Sequence, residues 1–284
     1  MNNYKIIKDV TTDLERAFYN SKNTTFENCT IAGEQDGESA FKESNDIKVI
    51  NCNCVLRYPF WHDTNLEIKD TILQDTCRAA IWYSKNISID NCKLHGIKVI
   101  RECIDTTIKN SDIDSKECFW ICKNIEIKDT TINSEYPFLN SDTISLKNVT
   151  LKGKYSFQYC KNVNIVDSYL DTKDAFWETE NVTCINSTIK GEYLAWYAKN
   201  LTLINCKIIG TQPLCYCTSL KLIDCEMIDC DLSFEYSEVY ASIIGKIESI
   251  KNPLKGVIIY EDCGEIIEDE NFRNEGIIIK KKTK

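Results

Sequence analysis

The chain has 284 residues, enough for two average domains, and 43% of them are hydrophobic, enough for a continuous core. With only 10 Gly and 4 Pro, the composition argues against a disordered or linker-rich chain. The net charge of −9 argues against nucleic acid as a partner, and the absence of a long apolar stretch argues against a membrane span.

The N-terminal residues and the cysteines bear on cellular location. The first residues lack the apolar stretch of a signal peptide, so a cytoplasmic protein is expected. Many of the 16 Cys fall at places where the sequence otherwise has Ser, Thr or Ala, and their spacing does not match paired zinc ligands. They are predicted to be buried and reduced, and neither a metal nor a cofactor is expected.

Residues suited to a helix start come first in the chain. Thr12 and Asp13 are typical N-cap residues, and the segment Thr12–Tyr19 predicts a short helix over the first repeat. A stacked array needs such covers at its ends. Residues 1–22 are therefore interpreted as an N-terminal cap.

A repeat with a period of 19 residues then runs from residue 23 to residue 245. Its motif is N-I-x-I-x-N-C-x-I, and positions in the repeat are numbered from the first Asn of this motif. Copies begin at Asn23, Asp46, Asn65, Asn86, Asp105, Asn124, Thr143, Asn162, Asn181, Asn200, Ser219 and Glu238.

Apolar side chains recur at positions 2, 4, 9 and 15 of the repeat. Two apolar residues with a polar residue between them are typical of a half-buried strand, and no single repeat could bury its apolar face alone. Leucine-rich repeats and left-handed hexapeptide helices fit the Asn position and the period less well. The pattern predicts one all-β domain over 1–284, a single-stranded right-handed parallel β-helix of about 12 turns of 19 residues.

Two positions make this prediction specific. Position 6 is Asn or Asp in every copy but the last, as at Asn91 and Asn110, and predicts an asparagine ladder at a sharp bend. Position 15 is predicted to carry a buried stack of rings, formed by Phe119, Phe138, Phe157 and Phe176.

The pattern weakens after residue 245. Apolar segments at Val257–Asp262 and Gly276–Lys281 still fall near the repeat spacing. Residues 246–284 are therefore interpreted as degenerate turns and a C-terminal cap.

Several segments of the second half resemble an uncharacterised microbial family, known only as a domain of unknown function within the pectin-lyase-like β-helices. The resemblance covers nearly the whole chain. It implies the β-helix fold and no particular reaction, and it assigns no catalytic residues. The segments that carry it are Asn181-Val182-Thr183, Asn186-Ser187, Gly191-Glu192-Tyr193-Leu194, Asn200-Leu201-Thr202-Leu203-Ile204-Asn205-Cys206 and Phe234-Glu235-Tyr236-Ser237.

Aromatic residues at position 16 and its neighbours are the main candidates for a binding surface. Because position 16 also accepts Arg101, it is predicted to face outward. Stacked rings beside carboxylates suit sugars, although the same rings would also serve to cover a sheet face. The candidate binding residues are Trp61, His62, Trp82, Tyr83, Arg101, Glu102, Trp120, Trp177, Trp196 and Tyr197.

A polar wall within this set raises the question of catalysis. His62, Tyr83 and Glu102 share position 17 on consecutive turns, beside Arg101. Such a set could perform acid–base chemistry on a polysaccharide, or could be an exposed polar patch. No catalytic residue is assigned.

Two function classes remain open. The first is a non-catalytic binding or interaction scaffold, with a glycan or a protein as partner. The second is a carbohydrate-active enzyme, either a polysaccharide lyase or a glycoside hydrolase, which rests on analogy with the fold.

Overall fold

The computed structural model describes residues 4–34 and 37–282, and within these ranges the chain forms β-strands and turns without a helix. The chain divides into two compact units, Met1–Ser145 and Leu146–Lys284. Each unit is a parallel β-solenoid, and the chain has about 14 turns against the predicted 12 or so.

Unit 1 is built from short parallel strands, three or fewer to a turn. Identical repeat positions lie next to each other, so that Ile87 pairs with Leu66 on one side and with Thr106 on the other. The strands are β1 (Lys5–Lys8), β2 (Thr11–Thr12), β3 (Lys22–Glu27), β4 (Thr30–Ile31), β5 (Asn45–Ile50), β6 (Asn53–Cys54), β7 (Phe60–Trp61), β8 (Thr64–Lys69), β9 (Ile72–Leu73), β10 (Ile81–Trp82), β11 (Lys85–Asp90), β12 (Lys93–His95), β13 (Ile100–Arg101), β14 (Ile104–Lys109), β15 (Asp112–Asp114), β16 (Glu117–Cys118), β17 (Lys123–Ser134) and β18 (Tyr136–Pro137).

Unit 2 repeats this arrangement. Val182 pairs with Val163 and Leu201 at position 2, and the register shifts between Leu222 and Cys225 against β27. The strands are β19 (Asp142–Lys154, which starts in unit 1), β20 (Lys161–Val166), β21 (Tyr169–Lys173), β22 (Glu180–Ile185), β23 (Thr188–Lys190), β24 (Lys199–Ile204), β25 (Lys207–Ile209), β26 (Leu220–Ile228), β27 (Glu238–Lys251), β28 (Lys255–Ile267) and β29 (Ile277–Lys281).

The predicted position-15 ring column lies in the core. Phe119, Phe138, Phe157 and Phe176 are all 0% exposed, which confirms their predicted burial. The Phe119 and Phe138 rings stack 4.7 Å apart in unit 1, and the Phe157 and Phe176 rings stack 4.8 Å apart in unit 2. Each of these four turns therefore places a phenyl ring directly on that of a neighbouring turn.

The predicted N-terminal helix is wrong. Residues 5–8 form β1, which pairs with β3, and Phe18 stacks on Phe41 of the next turn with ring centres 5.4 Å apart. The backbone N–H of Phe18 donates to Ala40 of that turn instead of to its own segment. The segment is a further copy of the repeat, because Asp9 and Phe18 occupy positions 6 and 15.

The C-terminal part continues the array. The expected degenerate segment Val257–Asp262 lies in β28, and β29 covers Ile277–Lys281 of the second segment. Together with β1 and β2, these strands account for the turns beyond the predicted number. Residues 1–3, 35, 36, 283 and 284 lie outside the described ranges, so the two predicted end segments are followed only from residue 4 and up to residue 282.

The bends at positions 1 and 6 use Asn and Asp in the left-handed conformation. At position 6, the Asn51 amide donates to Asn28 at 2.7 Å, and both residues have positive φ. At position 1, the Asn86 amide donates to Asn65 at 2.6 Å. Short polar side chains tolerate this conformation, and the amides bond from turn to turn as well.

A further inner column occurs at position 18, where small polar side chains accept backbone N–H groups. The Ser44 N–H donates to a carboxyl oxygen of Asp63 at 2.8 Å, and the Asp63 N–H donates to the Ser84 hydroxyl at 3.0 Å. Asp63 is 1% exposed, and its other carboxyl oxygen makes no hydrogen bond within the described residues. Burial raises the pKa of Asp63 well above its usual value, although the bond from Ser44 opposes the shift.

Phe138→Ala is expected to destabilise the protein by about 3–5 kcal/mol, because the stacked turns cannot close around the missing ring. Equilibrium urea unfolding measures this loss. Phe138→Leu, which refills much of the volume, should cost less. A loss below about 1 kcal/mol for Phe138→Ala would contradict tight packing of the ring column.

Asp63→Ser is expected to stabilise the protein by about 1–3 kcal/mol at alkaline pH, since a serine hydroxyl keeps the bond from Ser44 and removes the unpaired carboxyl oxygen. Because folding raises the pKa of Asp63, the stability linked to its proton is fully present in acid and is lost as the pH rises through the folded-state pKa. The gain in melting temperature over wild type should therefore grow from acidic to alkaline pH. A gain that is constant with pH would argue that folding does not raise the pKa of Asp63.

Candidate ligand-binding surfaces

Position 16 of unit 1 forms a column of stacked cations and indoles, the cation–indole column. The Lys42 ammonium lies 4.2 Å from the centre of the Trp61 ring, and the Trp61 and Trp82 rings stack with centres 5.5 Å apart. The Arg101 guanidinium is 5.7 Å from the Trp82 ring and 5.6 Å from the Trp120 ring. All five side chains are half-buried, and neighbouring turns use both faces of the Trp61 and Trp82 rings.

The polar wall lies beside this column. The His62 and Tyr83 rings stack 5.1 Å apart, and the Glu102 carboxylate accepts hydrogen bonds from Arg101 Nε at 2.9 Å and from Trp82 Nε1 at 3.4 Å. Arg101 is accommodated at the half-buried position because two indole faces and this carboxylate surround its charge.

The electrostatics of the polar wall shift the pKa values of Tyr83 and Glu102 away from neutral pH. Burial raises the pKa of Glu102, but the hydrogen bonds from Arg101, Tyr83 and Trp82 outweigh it, so the pKa is lowered. The bond to Glu102 in turn raises the pKa of Tyr83. A general acid or base works best with a pKa near the working pH, so these shifts oppose catalysis by Tyr83 and Glu102.

In unit 2, position 16 has two stacked indoles whose N–H groups bond to the backbone. The Trp177 and Trp196 rings lie 5.5 Å apart and are nearly parallel. Trp177 Nε1 donates to the carbonyl of Tyr193 at 2.7 Å, and Trp196 Nε1 donates to that of Gln212 at 2.9 Å. In unit 1, Trp120 bonds to the carbonyl 16 residues later in the same way. These half-buried indoles therefore fasten one turn to the next.

Position 17 of unit 2 presents exposed rings instead. Tyr159 and Tyr197 are 49% and 50% exposed. The Tyr197 ring stacks on Tyr216 at 4.9 Å, and the Tyr216 ring lies 6.0 Å from Tyr236. The Tyr216 hydroxyl donates to Glu235 at 3.4 Å, which ties the middle ring to the next turn.

An open groove of about 530 Å³ runs beside Tyr197, the Tyr197 groove. Position 18 belongs to the inner column, as the buried Thr179 shows, and this leaves room on the outside between the side chains of positions 17 and 19. Lys161 and Glu180 form an ion pair of 3.3 Å, and Glu180 is paired in register with Lys199. The lining is Lys161, Glu178, Thr179, Glu180, Tyr197 and Lys199.

The predicted residues thus fall into two sets. Of the groove lining, the sequence prediction included only Tyr197. The missed signal was position 19, where Lys161, Glu180 and Lys199 alternate in charge at the repeat spacing. The candidate binding residues are placed as follows: Trp61, His62, Trp82, Tyr83, Arg101, Glu102 and Trp120 in unit 1, and Trp177, Trp196 and Tyr197 in unit 2.

Over residues 4–34 and 37–282, no three His, Cys, Asp or Glu side chains are grouped so as to hold a metal ion. The same part of the chain has no helix long and apolar enough to cross a membrane.

Parallel β-strands stacked turn on turn, with bonded Asn and Asp at the bends, define the class as a β-solenoid consistent with the pectin-lyase-like β-helices. The chain belongs to the DUF3737 family, whose description is a protein of unknown function, and the match covers residues 5–280. No curated protein sequence matches the chain.

Two solved structures are weakly similar. PfbA, a surface adhesin of Streptococcus pneumoniae, is 10% identical with a TM-score of 0.28, over 98% of this chain and 83% of the adhesin. The catalytic domain of a GH87 alpha-1,3-glucanase in complex with tetrasaccharides is 8% identical with a TM-score of 0.22, over 97% of this chain and 63% of that domain. No statement about the function of this chain follows from either.

Trp196→Ala is expected to lower the free energy of unfolding by about 2–4 kcal/mol, since it removes a ring stacked on Trp177 and a bond to the backbone. Trp196→Phe keeps a ring and loses only that bond, so it should cost about 1 kcal/mol. Urea unfolding of both variants measures the difference. A loss within about 0.5 kcal/mol for Trp196→Ala is typical of a free surface residue and would show that the indoles do not fasten the turns.

Proposed function

We propose that this protein is a non-catalytic binding scaffold that holds a glycan in the Tyr197 groove. The observation that carries the proposal is the half-exposed Tyr197 ring, which lines an open groove together with paired cations and carboxylates. The tryptophans first suggested by the sequence are poorer candidates, because their rings are stacked between turns, and every indole N–H except that of Trp61 bonds to a neighbouring turn.

The chemistry of the groove suits a sugar. A sugar ring has an apolar face, which stacks on a flat aromatic ring, and a hydroxyl edge, which needs donors and acceptors. Tyr197 supplies the flat face, Lys161 and Lys199 supply donors, and Glu178 and Glu180 supply acceptors.

The spacing of the exposed rings favours an extended ligand. Tyr159 and Tyr197 occupy position 17 two turns apart, roughly 9.6 Å at the strand spacing of about 4.8 Å. A ligand that covers both rings must span more than one turn, so an oligosaccharide fits better than a single sugar. Each stacking contact contributes only about 1 kcal/mol, so binding needs several of them.

The charges favour an uncharged glycan. The two lysines and two glutamates of the groove balance, and the whole chain carries a net charge of −9. A polyanion such as a uronate polymer or nucleic acid would be repelled at long range.

We also propose that the protein works in the cytoplasm. The 16 Cys are free thiols, and 15 of them are buried, which suits a reducing compartment. The ligand there would be a free glycan or a glycosylated protein partner.

A carbohydrate-active enzyme is the second candidate, favoured by the two carboxylates Glu178 and Glu180 in one groove, since glycosidases use such pairs. Against it, the Glu180 carboxylate is already engaged in the ion pair with Lys161. Incubation with the bound oligosaccharides should yield no shorter products. Products that disappear in Glu178→Gln would establish the enzyme instead.

Tyr197→Ala is expected to weaken binding of a neutral oligosaccharide by roughly tenfold, the equivalent of one lost stacking contact. Titration calorimetry, on oligosaccharides first found with a glycan array, gives the measurement. The matched control is Tyr240→Ala, because Tyr240 is also 50% exposed and does not line the groove. Equal effects of the two variants, or no binding of any neutral glycan by the wild type, would overturn the proposal.

A further inference from the structure

Cys206 and Cys225 of unit 2 lie one above the other at position 7 of adjacent turns. The Glu226 N–H donates to the Cys206 carbonyl at 2.9 Å, and Lys207 pairs with Glu226, so the two cysteines precede paired residues. The two thiols interact, since each shifts the pKa of the other.

The backbone geometry permits a disulfide at this place. Stacked residues on neighbouring parallel strands have Cα atoms about 4.8 Å apart, inside the range of roughly 4.4–6.8 Å found for disulfides. A bond between Cys206 and Cys225 therefore needs rotation of side chains and no shift of register.

A second groove reaches one member of the pair. It has a volume of about 180 Å³ and includes Cys206 in its lining, with Ser187 and Lys207 beside it. Cys206 is 2% exposed and Cys225 is 0% exposed. A small reagent entering the groove would therefore reach Cys206 first.

The surroundings of Cys206 favour its reactive form. The hydrogen bond from the Cys225 thiol lowers the pKa of Cys206 to about 7, helped by the Ser187 N–H and opposed by burial. The carbonyls of Cys184 and Ile204, each 3.4 Å from the sulfur, favour the uncharged thiol instead. A thiolate is the nucleophile in disulfide exchange, and a thiol with a pKa near the ambient pH attacks best.

The same chain holds pairs and single thiols that lack one of these features. Cys103 and Cys122 are also stacked, with the Cys103 N–H 3.4 Å from the Cys122 sulfur, but burial raises the pKa of Cys122 well above its usual value. Cys92 lines a similar groove, yet its neighbours in the column are Thr71 and Ser111, and burial raises its pKa to about 11.

We propose that Cys206 and Cys225 are a redox modification site, which exchanges with low-molecular-weight disulfides to form a bond between adjacent turns. The Cys206 thiolate attacks a sulfur of the reagent, its S–S bond breaks, and one reagent thiol leaves. The Cys225 thiol then attacks Cys206 of the mixed disulfide, passes its proton to the second leaving thiolate, and closes the protein disulfide. Two protein thiols and one reagent disulfide give one protein disulfide and two reagent thiols.

The test treats the native full chain with 2-hydroxyethyl disulfide at neutral pH, blocks remaining thiols with N-ethylmaleimide after denaturation, and identifies peptides by mass spectrometry. A Cys206–Cys225 link is expected to form roughly tenfold or more faster than modification of Cys103, Cys122 or Cys92. Trypsin leaves Cys225 and Cys230 in one peptide, so a Cys230→Ser variant, which should keep the link, assigns it.

Two further variants test the order of attack. Cys225→Ser should stop at a mixed disulfide on Cys206, whereas Cys206→Ser should leave Cys225 unmodified. Serine already occupies position 7 at Ser168 and Ser187, so both variants should fold, and their melting temperatures check this. The proposal is overturned if Cys206 reacts no faster than Cys103 and Cys122, or if Cys225 is modified in Cys206→Ser.

Discussion

Every feature of this molecule depends on one constraint, that each position of a turn lies about 4.8 Å from the same position of the next turn. Backbone hydrogen bonds between turns impose it, as in the continuous register from Leu66 through Ile87 to Thr106. A residue is therefore tolerated only if it can lie against its equivalent. The Phe119 and Phe138 rings do so by stacking, and Asn28 and Asn51 do so by bonding amide to amide.

Like charges that face each other at this distance repel. Charged residues are therefore arranged in one of two ways. One way is alternation of sign, as between Lys161 and Glu180 or between Lys207 and Glu226, both at 3.3 Å. The other is to place a cation over an aromatic ring, as Arg101 does over Trp82. Both arrangements compensate the charges between turns, and a paired Lys or Glu keeps further donor or acceptor sites. Exposed aromatic rings for a ligand remain at a position such as 17 in unit 2, where Tyr159 and Tyr197 keep about half of their surface exposed.

The fold followed from the sequence because the repeat positions of a solenoid are themselves its contacts. The burial of Phe176 and its equivalents could be predicted from the periodicity alone. The N-terminal helix was mispredicted because Thr12 and Asp13 match helix-start preferences, whereas the match of Asp9 and Phe18 to positions 6 and 15 is visible only after the register is extended backwards. In a stacked array, the register of the repeat overrides the local propensity of a segment to form a helix.

The candidate surface was predicted less well, for a physical reason. The sequence shows that Trp196 and Tyr197 recur at fixed positions, but it does not show where the indole N–H is directed. The bond from Trp196 to the Gln212 carbonyl depends on the path of the chain 16 residues later. Likewise, the Tyr197 groove exists because position 18 belongs to the inner column, and its lining combines three positions that no single column reveals.

The central claim is a division of roles on the same turn, in which Trp196 fastens neighbouring turns and Tyr197 receives the ligand. Hydroxyl-radical footprinting in the presence and absence of a bound neutral oligosaccharide tests this division most directly, because the method reports on each solvent-accessible aromatic ring of the intact chain. The account predicts that the ligand protects Tyr159 and Tyr197 from oxidation and leaves Trp196 and Tyr240 unchanged. Protection centred on Trp196 or on Tyr240, with Tyr197 unaffected, would contradict it.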